Sequence, residues 1–237
     1  MRVSDWYPIL SNAHGLRNPG DSQVSAAATS ITLDLTTDRT LTVAAPGRLV
    51  EHRGRRRVYR LENARNHGFV AAPRLRRLST TTRDGVRVRV FHTKAVSARN
   101  ARFALREARR ALERYDDAYG PYPWPELIVA PTPGGWIATE WPSIVFMGSQ
   151  TYGDAEVVHH EVAHQWFYAL LGNDQLREPW VERRSRTSAS ATSSARVTGR
   201  SALASASTRP SMPSRTPSLV GAATATSRRS TQRAPRW

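Results

Sequence analysis

At residue 182 the sequence changes character, and that break limits where a folded core can be built. The 55 residues from Arg183 to Trp237 hold 13 Ser, 8 Thr, 10 Ala, 11 Arg and 4 Pro, with no acidic residue among them. Val197, Leu203, Leu219 and Val220 are the branched aliphatics of this stretch. They follow neither a helical nor a strand period and are too few to offset the entropy lost on ordering. Residues 183–237 are therefore expected to be a disordered tail. Of the 35 basic residues in the chain, 24 lie before Arg183 together with all 19 acidic ones, so the formal charge of +16 belongs mostly to the tail. What precedes is long enough for one ordinary domain or two small ones.

The first part of that span reads as β structure. Short runs at 30–35, 40–44, 57–61 and 86–91 are separated by turn residues such as Pro46-Gly47 and Arg83-Asp84-Gly85. In the last two runs Arg alternates with apolar residues, as strands with one wet and one packed face require. Residues 1–96 are expected to form an antiparallel β domain. From 97 to 119 the period becomes helical, with Leu105, Ala108, Leu112, Tyr115 and Tyr119 on one face and Arg106, Glu107, Arg110 and Glu113 on the other. Gly120-Pro121 stops that helix. Apolar strands are then expected at 127–130 and 143–147, flanking a Gly-rich stretch that begins at Gly134 and Gly135 and leads to Glu140. The fold class is α+β, with a mixed α/β region over 97–182.

Asp154 can cap a further helix that is expected to run to Leu171 and stop at Gly172. It is apolar nearly all round, so it should be buried. Within it lies His160-Glu161-Val162-Ala163-His164. A spacing of four places both imidazoles on one face, one turn apart, where each can reach a zinc ion at about 2.0 to 2.1 Å. Glu161, beside the first His, can then take a proton from water held there. His159 is turned about 100° from His160 and reads as a helix neighbour rather than a ligand. Trp166, Phe167, Tyr168 and Trp180 read as core packing.

These residues resemble a known family. The run 158–168, continuing through Gly172-Asn173-Asp174 to Val181, is similar to the bacterial branch of the membrane alanyl aminopeptidases, gluzincin zinc metallopeptidases. Glu140-Trp141-Pro142 after the two glycines resembles that family's exopeptidase motif, with four residues between the glycines and the Glu. Asp5-Trp6-Tyr7-Pro8 and the segment 119–125 resemble further landmarks. The resemblance implies the start of a thermolysin-like catalytic domain over 97–182, one Zn2+ held by His160 and His164, and Glu161 as the general base. It also implies Glu140 as the carboxylate that receives a peptide's free α-amine, with Gly134 and Gly135 along the substrate. Peptides are the implied substrates, hydrolysed at the first residue.

One family feature is displaced. The third zinc ligand is expected nineteen positions after the second His, and position 183 is Arg; Glu182 falls one residue short. Glu182 is the candidate ligand, although a one-residue offset on a helix rotates a side chain about 100°. The displacement coincides with the change of composition, as it would if the reading frame shifted near codon 182. One codon choice for residues 182–187, read two bases later, gives an apolar helix-like run. On this reading the chain is truncated relative to its family, and little or no hydrolytic activity is expected of it alone.

Other classes are weaker. Zero cysteine excludes disulfides, thiol catalysis and Cys-ligated metal. No run approaches a membrane span and no secretory signal opens the chain, so it reads as soluble. The basic tail, with pI about 11.4, would give salt-sensitive sticking to polyanions, but its Arg residues are scattered with Trp237 as the single aromatic, so no specific nucleic acid is expected. A non-catalytic β-rich binding module is the alternative to the enzyme.

Overall fold

The computed structural model describes residues 1–4, 6 and 28–172. The tail expected to be disordered, and with it Glu182 and Trp180, lies outside the described residues.

The elements, in order, are β1 (Arg2–Ser4), β2 (Ala28–Thr36), β3 (Leu41–Ala44), β4 (Arg48–Arg53), β5 (Arg56–Ala64), β6 (Gly68–Pro73), β7 (Arg76–Thr81), β8 (Arg87–His92), α1 (Ala98–Tyr119), β9 (Glu126–Pro131), β10 (Ala138–Trp141), β11 (Ile144–Met147) and α2 (Ala155–Ala163). Two sheets of three strands, β2-β5-β4 and β1-β6-β3, are antiparallel throughout. The third sheet has the order β10-β11-β9-β8-β7 and is mixed, because β9 runs parallel to both β8 and β11.

That mixed sheet explains the apolar runs. Leu127 and Val129 face one side with Val88, Val90, Val145 and Met147, packed on the helices; Ile128 and Ala130 face the other with Phe91, Ile144 and Phe146, packed on Ala44 and Val70 of the β1-β6-β3 sheet. A strand covered on both faces has no reason to alternate in polarity. The sheet also takes β7 and β8 from before residue 97, so the expected division between 96 and 97 does not coincide with a break between sheets.

α1 begins where expected, with Ser97 Oγ accepting from the Asn100 amide, and ends at Gly120, whose φ of 97° only glycine adopts readily. Its buried face is set by Ala101, Ala104, Ala108 and Ala111, all fully buried. Small side chains here let the helix axis approach the sheet closely. Glu107, expected on the wet face, is instead buried, where it bonds Arg110 Nη1 at 2.7 Å and faces His159 Nε2 at 3.3 Å. Tyr119, expected on the packed face, is exposed.

Candidate active site

α2 carries the first part of the site. Asp154 caps it as expected, its Oδ1 accepting from the amides of Glu156 and Val157 at 2.9 and 3.3 Å. The helix is shorter than its sequence implies. It ends at Ala163, and a wider turn, Gln165–Leu170, follows with non-helical backbone at Phe167 (φ −94°, ψ 50°) and Tyr168. The apolar pattern continues through this bend, but tertiary bonds compete with the helix: Tyr168 hydroxyl is held by Asn66 Nδ2 at 2.6 Å and Trp166 Nε1 donates to Gly120 O at 3.0 Å. Trp166 and Tyr168 are buried and Phe167 is half-buried against Tyr119.

His160 and His164 meet across one turn, with their Nε2 atoms 3.1 Å apart and ring planes at 80°. His164 Nδ1 lies 3.5 Å from Phe167 O, a carbonyl that the bend turns toward the ring. Glu161 is buried beside them, and its Oε2 makes no hydrogen bond. Burial, and then the charge of Glu140, hold the Glu161 carboxyl well above the usual range. Glu140 comes from β10, the edge strand of the mixed sheet, and its Oε1 is 3.7 Å from His164 Nδ1. Burial pushes the Glu140 carboxyl up to about 7. Glu140 and three side chains 20 to 24 positions later are thus gathered by one edge strand and one helix.

The two glycines are placed differently from Glu140. Gly135 O accepts the Gln150 amide at 2.9 Å, and a Cβ on Gly148 would come within 2.4 and 2.5 Å of the Gly134 and Gly135 carbonyl oxygens. Their carbonyls face the turn at 148–150. His159, adjacent to the pair, packs on Glu107 and Tyr115.

One residue that matters here carried no signal in the sequence. Gln165 is fully buried, accepts from the Ser143 amide at 2.8 Å and donates to Trp141 O at 3.0 Å. It ties the end of the histidine-bearing helix to the β10–β11 turn, next to Glu140. A Gln after the second His has no periodicity to give it away. Among the described residues, no group of three or more His, Cys, Asp or Glu converges as a metal centre, and none of the helices is long and apolar enough to cross a membrane.

No family model matches the chain. Its sequence is 30% identical over 122 residues to Aminopeptidase N of Lactobacillus delbrueckii subsp. lactis, covering 45% of this chain and 14% of that protein. It is 32% identical over 108 residues to Aminopeptidase N of Lactobacillus helveticus, covering 39% and 13%. Among solved structures it is similar to the M1 zinc metallopeptidase of Deinococcus radiodurans, with a TM-score of 0.56, 21% identity and coverage of 70% of this chain and 41% of that one. A two-domain M1 zinc metallopeptidase variant bound to L-arginine gives a TM-score of 0.55 at 20% identity, over 70% and 41%. The chain spans about one seventh of the length of the curated relatives it matches. The fold is that of the M1 zinc metallopeptidases. Over the matched span the sequence is similar to part of Aminopeptidase N.

Proposed function

We propose that this chain is part of a zinc-dependent aminopeptidase, in which His160 and His164 hold one Zn2+, Glu161 is the general base and Glu140 receives the substrate's α-ammonium. The separation of the two Nε2 atoms, 3.1 Å, supports the ligand pair, since two nitrogens each about 2.05 Å from a tetrahedral ion stand about 3.3 Å apart. The buried Glu161 Oε2 without a hydrogen bond is a second sign of a missing partner, because buried carboxylate oxygens are otherwise satisfied. Glu182, or a residue beyond it, would complete the set.

When bound, the metal would polarise the scissile carbonyl and acidify water. The residues supply the rest. A carboxyl with raised proton affinity, as burial gives Glu161, suits accepting a proton from water and passing it to the leaving amine. With Nδ1 of His164 turned to Phe167 O and Glu140, its Nε2 is left as the metal-facing nitrogen. Glu140 on an edge strand can pair with a peptide's amino end, which limits cleavage to the first residue, and a cationic amine there relieves the repulsion between Glu140 and Glu161. Gly134 and Gly135 would shape the approach to that edge through the 148–150 turn.

The paired imidazoles carry this reading. Zinc retained after dialysis, lost on His160→Ala with His164→Ala, supports it, as does hydrolysis of an aminoacyl fluorophore that stops on Glu161→Gln. Zinc retained by the double variant rejects it.

A further inference from the structure

We propose that the arginine-lined cleft between the N-terminal strands and the mixed sheet binds a small organic polyanion, at a site separate from the paired histidines. The cleft has a volume of about 800 Å³, within the usual range for small-molecule sites. One wall is Thr42, Val43, Gly47, Arg48, Leu49 and Tyr59; the other is built from β7, β8 and the start of β9.

The β7–β8 register creates its charge. Arg77 stands opposite Phe91, and Arg89 and Arg87 stand opposite Ser79 and Thr81, so Arg77, Arg87, Arg89 and Phe91 project from the same face of the pair. Successive same-face positions on a strand are roughly 6.5 to 7 Å apart. Arg48 adds a fourth guanidinium from the facing wall. Against these stands one carboxylate, Glu126, already joined to Arg89 at 2.5 Å.

Arg48, Arg77 and Arg87 form no ion pair with any described residue, whereas Arg53, Arg56 and Arg60 on β4 and β5 each do. Three guanidinium groups without an ion-pair partner among the described residues thus meet in one concave place. Guanidinium groups bind carboxylate and phosphate oxygens in bidentate fashion. The aromatic floor of Phe91 and Tyr59 and the exposed Leu49 can cover the carbon skeleton of a ligand. Two or more anionic groups a few ångströms apart on a compact body match this array. A nucleic-acid duplex, which needs an open basic surface rather than a cleft, does not.

Isothermal titration of the full chain at physiological salt with pyrophosphate, and separately with citrate, tests the site. Saturable one-to-one binding of either probe is expected, and the stronger of the two identifies phosphate or carboxylate as the recognised group. Arg77→Ala with Arg87→Ala, both at exposed positions, should weaken it roughly tenfold. Arg48→Glu on the opposite wall should do so independently. Arg228→Ala with Arg229→Ala in the basic tail should leave it unchanged. Saturable heat from neither probe, loss of binding in the tail variant, or full binding in both cleft variants would each overturn the proposal. A duplex oligonucleotide that displaces either probe would do the same.

Discussion

Gln165 Oε1 accepts the backbone amide of Ser143 at 2.8 Å, and Ser143 holds a left-handed φ of 64°. The conformation is unusual for a residue with a side chain and persists where surrounding bonds over-determine it. Here Ser143 Oγ also donates to Glu126 O at 2.7 Å. Gln165→Leu would leave the buried Ser143 amide without this acceptor and remove the bond to Trp141 O, so a loss of about 1 to 3 kcal/mol is expected by urea denaturation. An unchanged midpoint would show that the clamp contributes nothing.

His67 makes stability acid-sensitive. It is fully buried, with Nδ1 near Trp6 Nε1 and Nε2 near Pro46 O, a pattern that suits the neutral ring. Burial pushes its pKa down to about 4. The unfolded chain binds the proton more readily than the folded one, so stability is full above about pH 6.5 and falls as the pH drops toward 4, by about 3 kcal/mol. His67→Gln should flatten the difference between denaturation midpoints at pH 7 and pH 4.5, the pH values being roughly either side of this window. Equal pH slopes in the two proteins would refute the assignment.

Gly148 admits no side chain. A Cβ there would lie 2.4 to 2.5 Å from two carbonyl oxygens, and backbone cannot yield as a flexible side chain does. Gly148→Ala should displace residues 134–137 and weaken the bonds from the Gly148 amide to Ile137 O and from the Gln150 amide to Gly135 O. Faster hydrogen exchange at the Gln150 amide is the expected readout.

Asp154→Ala removes the cap from two α2 amides. A loss of about 1 kcal/mol in thermal or chemical unfolding is expected, with Asp154→Asn retaining most of it.

The elements readable from sequence were those whose signals are local. The runs at 30–35, 57–61 and 127–130 fall inside β2, β5 and β9, and the helix at 97–119 carries its own stop and cap. β4, β6 and β7 gave no such signal. β4 is mostly exposed and bulged between Leu49 and Glu51, β6 is bounded by Gly68 and Pro73, and β7 is rich in Arg and Thr. Their places are set by partners distant in sequence. At the site, the His160–His164 spacing foretold their meeting because a helix enforces it. The bend at Phe167 is not legible in the sequence because residues 165–171 keep the apolar character of a helix, whereas the side chains of Tyr168 and Trp166 are held by Asn66 and Gly120, distant in sequence.

The pairing of β1 with β6 has a kinetic corollary. Arg2, Val3 and Ser4 find their ladder partners at Val70, Phe69 and Gly68, so on a ribosome adding about 5 to 20 residues per second they wait roughly 3 to 14 s before a docking edge exists. During that interval the nascent strand is a free template for other chains.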